Sequence, residues 1–296
     1  MRVRQGEPLA PYTTMRVGGP ADLFVEARNL FELRGIIRYA RSRDVPLFLI
    51  GRGSDLVVSD LGIGGLVVLV RAGGLRIEDE RLTVEAGVQM AKVATEGKKA
   101  GLSGLEFGLA IPGTVGGAVW ANAGAHGADV RGVLVEALVA GADGEERSLG
   151  PEALGMGYRQ TALKEGVPGR PDVVLAASFA LEPADSDTIA ERLTDIRRWR
   201  QEHQPIGQKS AGSVFRNPDG DSAGRIIDEL GLKERRVGGA MVSPKHANFI
   251  VNTGDATAAD IRALGDLVRD TVFRERGIEL RYEVEFVGEM AHTEDT

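Results

Sequence analysis

Glycines placed directly after apolar runs are the first residues in this sequence whose types and spacing could do chemistry. Gly51, Gly53, Ser54 and Asp55 of GRGSD follow PLFLI, and a longer tract, GLAIPGTVGGAVWANAGAHG, holds Pro112, Gly113, Thr114, Gly116, Gly117 and Gly124. Lacking Cβ atoms, such positions let backbone N–H groups approach an anion closely, so both tracts read as phosphate-cradling loops. Glu283 and Glu285 alternate in RYEVEFVG. Alternate positions on a strand share a face, and the residues alone do not choose between the two carboxylates. Ser213 in AGSVFRNP has Lys209, Arg216 and Asn217 nearby in sequence. A serine hydroxyl is a weak acid and needs close placement and a cationic setting to give up a proton. Tyr158 and Arg159 lie in GYRQT. The planar fork of an arginine there suits both oxygens of a carboxylate or enolate.

Several common chemistries are excluded. GRGSD is not a Rossmann fingerprint, because Leu56 stands where the third glycine would be and LVVSD continues as a strand. Gly108 and Gly113 have Walker spacing, but Thr114 occupies the lysine position. The chain has no cysteine, which removes disulfides, thiolate nucleophiles and cysteine-zinc sites. His126, His203, His246 and His292 are too scattered to suggest a metal site, and His246 reads as a structural hydrogen-bonder. A net charge of -7 argues against a general nucleic-acid binder, so anionic small molecules would need local basic sites. No apolar run is long enough for a bilayer and the N-terminus has no secretion-signal core, so a cytoplasmic protein without a membrane partner is expected. Aromatic content of 5% gives no visible interface stripe, and a monomer is expected.

The elements that must position these residues follow an α+β pattern. The first half alternates short β-branched runs with glycines: DLFVEA, PLFLI, LVVS, GLVVLV, a hairpin at LRIEDERLTVEAG, and VLVEALVAGADGEERSL. Helices are predicted near 30–43, with Leu33, Ile36, Ile37 and Ala40 on one face, and near 90–100. After the strand DVVLAASFALEP, the segment ADSD reads as a helix cap. Ile189, Leu193, Ile196 and Trp199 then keep helical spacing up to Pro205. The domain boundary is placed there, giving domains 1–183 and 184–296. The second domain reads as a helix at AGRIIDELGL, a strand at ANFIVN, a helix over 257–276 and a terminal strand ELRYEVEFVG.

GRGSDLVVSD, EFGLAIPGTVGGAVWANAGAHG, GYRQT, SAGSVFRNP, SPKHANFIVN and LRYEVEFVG occur in an order that resembles the UDP-N-acetylenolpyruvoylglucosamine reductases, or UDP-N-acetylmuramate dehydrogenases. The resemblance covers nearly the whole chain. It implies an FAD-binding domain of the vanillyl-alcohol oxidase (PCMH) type followed by a smaller α+β substrate domain. It also implies non-covalent FAD held by the two glycine tracts, NADPH as electron donor, and a small-molecule sugar-nucleotide substrate in peptidoglycan synthesis, which serves cell shape and division. By the same resemblance Ser213 is the proton donor, Arg159 and Glu283 are catalytic, and Tyr158, Arg216 and Asn217 bind substrate. The short interval between GYRQT and SAGSVFRNP is similar to the family's type without an extra tyrosine loop. Asp55 departs from the usual Asn, Arg52 from a small residue, His126 from a common tyrosine and Arg216 from a frequent Lys.

Other readings stay open on the residues alone. An oxidase of the same fold could tether its flavin through a histidine such as His126, and a sugar-nucleotide binding protein could lack turnover.

Overall fold

Two apolar clusters organise the chain, seen here in a computed structural model that describes residues 2–289; His292 lies outside the described residues. One cluster draws on Val25, Leu33, Ile37, Val68, Leu82, Val93, Val119, Ala137, Leu175 and Phe179. The other gathers Met15, Val17, Val57, Phe215, Ile227, Ile250, Leu264, Val268 and Val284. The chain accordingly divides into two interleaved units. The first comprises residues through Arg4, Leu23–Arg52 and Gly65–Arg200, and the second comprises Gln5–Asp22, Gly53–Gly64 and everything from Gln201 onward. This division differs from a single cut after residue 183. Met15, Val17 and Val57 pack into the C-terminal cluster, while Ile189 and Leu193 of the helix after residue 183 pack against Ala94.

In the first unit an antiparallel sheet runs in the order Glu146–Leu149, Leu134–Ala140, Val173–Ala180, Arg81–Glu85, Leu75–Glu78. The expected hairpin at LRIEDERLTVEAG is present in it, and VLVEALVAGADGEERSL forms a second antiparallel pair. Leu47–Ile50 pairs in parallel with Ile63–Val70, Leu47 opposite Leu66. Helix α1, Leu30–Ser42, buries Leu33, Ile36, Ile37 and Ala40, the face its spacing predicts, and Asn29 caps it by accepting from Glu32 N. Helix α2 covers Met90–Lys99. Helix α3, Val115–Ala121, interrupts the second glycine tract, where the sequence suggests only loop. Helix α4, Ser186–His203, buries Ile189, Leu193 and Ile196, but Trp199 is 42% exposed and meets the edge of His126, with ring centroids 5.1 Å apart.

In the second unit the antiparallel order is Lys209–Ser213, Phe249–Asn252, Ala240–Val242, Arg236–Val237. Helix α5 spans Ala223–Glu229 and helix α6 spans Ala258–Arg276. Thr257 and Asp260 form a capping box on α6, and the Asp60 carboxylate accepts from Ala258 N at 2.9 Å and Ala259 N at 3.1 Å. Gly277, at φ 67°, closes the helix. The expected terminal strand is shorter than its alternation suggests: Glu285–Val287 forms a strand, in parallel with Leu56–Val58, and Tyr282 makes an isolated bridge.

Candidate active site

In the first unit, the second glycine tract does two different things. Val115 N donates to Val88 O at 2.8 Å and Gly116 N to Ala86 O at 2.9 Å, so the first amides of α3 are already engaged by backbone. A Cβ at Gly116 would sit 3.0 Å from Ala86 Cβ, and one at Gly124 would sit 2.6 Å from Ala128 O. These glycines permit close packing. Gly117 differs: it is exposed, and nothing lies within 4 Å of where its Cβ would be. Gly51 faces the tract directly, since a Cβ there would be 2.3 Å from Thr114 Oγ1. Gly113 O accepts from Met90 N, and Pro112 is exposed. The bare backbone at Gly51 against Thr114, with open space at Gly117, suits a diphosphate-bearing cofactor, FAD being the one that the resemblance implies.

Tyr158 and Arg159 form a two-residue turn closed by Gly157 N donating to Gln160 O at 2.9 Å and Gln160 N to Gly157 O at 3.2 Å. Arg159 has φ 54°, a left-handed conformation that glycine ordinarily takes. Its guanidinium donates to Gly124 O at 2.7 Å and stands 5.2 Å from the Tyr158 ring centroid, while Tyr158 itself is exposed. His126 is also left-handed, at φ 53°. Burial, then the Arg200 charge, holds its imidazole below the ordinary range, which favours the neutral form.

A polar network that no sequence motif marks anchors the segment leading into the tract. Glu106 accepts from Ser103 Oγ at 2.6 Å and Gly104 N at 2.8 Å, and Arg192 of α4 reaches it at 3.4 Å. Burial raises the Glu106 pKa, but the hydrogen bonds from Ser103, Gly104 and Arg192 outweigh it and leave the carboxyl below its ordinary range.

The second unit carries Gly53, Ser54, Asp55, Ser213, Arg216, Asn217 and Glu283. Gly53, at φ 59°, packs with its Cβ position 2.4 Å from Tyr12 O. Asp55 O accepts from Glu285 N at 3.0 Å, which ties the first loop to the terminal segment. Ser213 ends its strand, with Gly212 before it at φ 79°. Glu283 lies outside the terminal strand: its N–H donates to Val214 O at 2.8 Å, next to Ser213, and Arg216 N donates to Arg281 O at 2.9 Å. The serine and glutamate segments are therefore bound side by side.

Packing fixes that register. Phe215 bridges Tyr282 and stacks on it with centroids 5.0 Å apart, and Asn248 Nδ2 donates to Phe215 O at 2.8 Å. Tyr282 donates to Asp266 of α6 at 3.0 Å. Burial and then that carboxylate push its phenol well above the ordinary value, so it stays a donor. A Cβ at Gly265 would lie 2.6 Å from the Tyr282 hydroxyl, so glycine lets α6 approach. Among the described residues, Arg216 Nε is buried without a hydrogen-bond partner. A buried unpaired guanidinium N–H is costly, and an anionic ligand would satisfy it. Asn217 Oδ1 accepts from Ala223 N at 3.1 Å, which spends one of its acceptors on the start of α5.

The described residues hold no metal-binding group of His, Asp and Glu, and none of their helices is long and apolar enough to cross a membrane.

Comparison with known proteins adds two domains in order. Residues 21–150 match an FAD binding domain family, and residues 204–287 match the C-terminal domain of UDP-N-acetylenolpyruvoylglucosamine reductase. The chain is 44% identical over 289 residues to UDP-N-acetylenolpyruvoylglucosamine reductase 2 of Symbiobacterium thermophilum, covering 97% of this chain and 92% of that one. It is 41% identical over 289 residues to the Bacillus subtilis reductase, covering 97% and 94%. The crystal structure of the corresponding reductase from Thermus caldophilus is similar with a TM-score of 0.82 and 38% identity, covering 97% of this chain and 99% of the other.

Proposed function

This chain belongs to the UDP-N-acetylenolpyruvoylglucosamine reductase family, whose members are FAD-dependent oxidoreductases of peptidoglycan synthesis, and we infer that NADPH supplies its electrons and that Arg159, Ser213 and Glu283 carry the chemistry. The reaction converts UDP-N-acetylglucosamine enolpyruvate to UDP-N-acetylmuramate. Its terminal alkene carbon gains a hydride and the neighbouring carbon gains a proton, while negative charge develops toward the carboxylate. Bound FAD supplies hydride transfer between donor and substrate. Gly51, Gly53, Ser54, Asp55, Pro112, Gly113, Thr114, Gly116, Gly117 and Gly124 are the residues we expect to line its site.

The remaining chemistry falls to the chain's own side chains. Ser213 donates the proton, Arg159 holds the carboxylate through its planar fork, and Glu283 orients the reacting group and its hydrogen-bonding partners. Arg216 and Asn217 bind the diphosphate or sugar, and Tyr158 is a further substrate-binding residue. The observation that supports this reading best is the Arg216 Nε, buried and unpaired three residues after Ser213, whose neighbour Val214 accepts from Glu283 N. An anion at that position removes a desolvation cost of about 1–3 kcal/mol. We further expect a cytoplasmic monomer.

The test is an anaerobic one. Purified yellow protein should bleach with NADPH and regain its oxidised absorbance when UDP-N-acetylglucosamine enolpyruvate is added. Recovery with oxygen but not with that substrate, or flavin that stays attached after acid denaturation, would instead favour an oxidase with a tether such as His126. Protein that cannot be reconstituted with FAD would favour a binding protein without turnover.

A further inference from the structure

We propose that Asn122 is a positioning residue for the reaction: its side chain locks the turn that presents Arg159 to the glycine tract on the other side of that side chain. The proposal rests on the role given above to Arg159. Asn122 ends α3 in a left-handed conformation, φ 43° and ψ 57°, and is 1% exposed. Its amide nitrogen donates to Gly157 O at 2.7 Å and to Asp129 Oδ2 at 3.2 Å, and its amide oxygen accepts from Arg131 N at 2.9 Å.

Gly157 O is the same carbonyl that accepts from Gln160 N and closes the Tyr158–Arg159 turn. Arg159 returns to the tract by donating to Gly124 O at 2.7 Å, two residues after Asn122. The connections form a ring: Asn122 to Gly157, along the turn to Arg159, back to Gly124, and along the chain to Asn122. A second tie, Thr161 Oγ1 to Trp120 O at 2.6 Å, holds the far end of the turn to the last residues of α3. Arginine has a long, flexible side chain, and a misplacement of about 1 Å at a reacting centre can cost about 100-fold in rate. The ring supplies what the side chain lacks.

A helix cap alone does not require this. The left-handed backbone is what a cap needs, and glycine provides it without a side chain. Asn122→Gly therefore keeps the cap and deletes the ring. Asn122→Asp keeps the acceptor for Arg131 but sets an oxygen against Gly157 O and the Asp129 carboxylate.

The experiment measures FAD affinity, flavin reduction by NADPH and flavin reoxidation by the enolpyruvyl substrate, for Asn122→Gly, Asn122→Asp, Arg159→Ala and the Asn122→Gly/Arg159→Ala pair. The expected result is FAD affinity and reduction rate within about threefold of the parent, with reoxidation slowed about 100-fold in both Asn122 variants. The double variant should be little slower than Arg159→Ala alone, because both changes disable the same group. Reoxidation near the parent rate in the Asn122 variants, additive losses in the pair, or equal loss of flavin binding and both half-reactions would overturn the proposal. An Arg159→Ala protein that reoxidises normally would overturn the role of Arg159 instead. Should Asn122→Gly fail to fold, Asn122→Asp decides by the same three measurements, and failure of both to fold marks Asn122 as purely structural.

Discussion

Arg159 holds its backbone where glycine would be at ease and sends its guanidinium to Gly124 O. A non-glycine residue at φ 54° costs about 1–2 kcal/mol, and the hydrogen bond to Gly124 O returns about 1 kcal/mol. The left-handed backbone works against stability at this residue, which points to use elsewhere. Arg159→Gly should melt within a few degrees of the parent, and Arg159→Ala, which keeps the strain and loses the bond, should be about 1 kcal/mol less stable than Arg159→Gly. Both should slow flavin reoxidation by the substrate about 100-fold or more; thermal melts beside anaerobic stopped-flow traces check the two halves together. For Ser213→Ala the split lies between half-reactions. Reduction by NADPH should stay near the parent rate while reoxidation falls about 10²–10⁴-fold, the cost of a lost positioned acid. Equal losses in both would remove Ser213 from proton donation.

Among the elements, the glycine tracts separate packing from binding. A methyl at Gly51 would collide with Thr114 Oγ1 at 2.3 Å, whereas one at Gly117 meets nothing within 4 Å. Gly51→Ala should lower stability by about 1–3 kcal/mol and FAD content with it. Gly117→Ala should fold normally and weaken FAD alone, read as a raised Kd in fluorescence titration with an unchanged melt. An unchanged Kd would take Gly117 out of the cofactor site. The same tract marks the limit of what the sequence makes legible. Helix α1 is readable because Leu33, Ile36, Ile37 and Ala40 repeat at helical spacing along one buried face. Helix α3 is not, because its seven residues include two glycines in the first turn, and local composition there says loop. Missing α3 hides Asn122 as its cap, although an Asn after an apolar run and just before Ala-Gly is a cap signal. Trp199 keeps the spacing of a core residue yet is half-exposed and meets His126, since periodicity gives a face and not its partner. Glu283 and Glu285 alternate as strand neighbours would, but the partner strand Leu56–Val58 has three residues, and Glu283 bonds Val214 instead.

Over the whole molecule, what the sequence hides is the interleaving. Short segments such as YTTMRV carry no boundary signal, and only tertiary packing assigns Met15 and Val17 to the C-terminal cluster. That assignment has a consequence for the fragment 184–296. It would lack Leu56–Val58, the only strand among the described residues with which Glu285–Val287 pairs, and Asp60, which accepts from two amides at the start of α6. It would also lack Thr14 Oγ1 bonding to Ser210 O at 2.7 Å and the Met15 carbonyl that accepts from Asn252 at 3.0 Å. Met15, Val17 and Val57 are 1%, 3% and 0% exposed. At about 1.5–3 kcal/mol for each buried side chain, their loss removes about 5–9 kcal/mol, against a total stability of about 5–15 kcal/mol for an ordinary domain. The fragment should therefore show no cooperative thermal transition and poor amide dispersion, while the full chain melts cooperatively. Starting the fragment at residue 201 would not rescue it, because the missing contacts lie near the N-terminus and not near the cut. A cooperative melt from 184–296 alone would mean that the N-terminal segments decorate the second unit without completing its core.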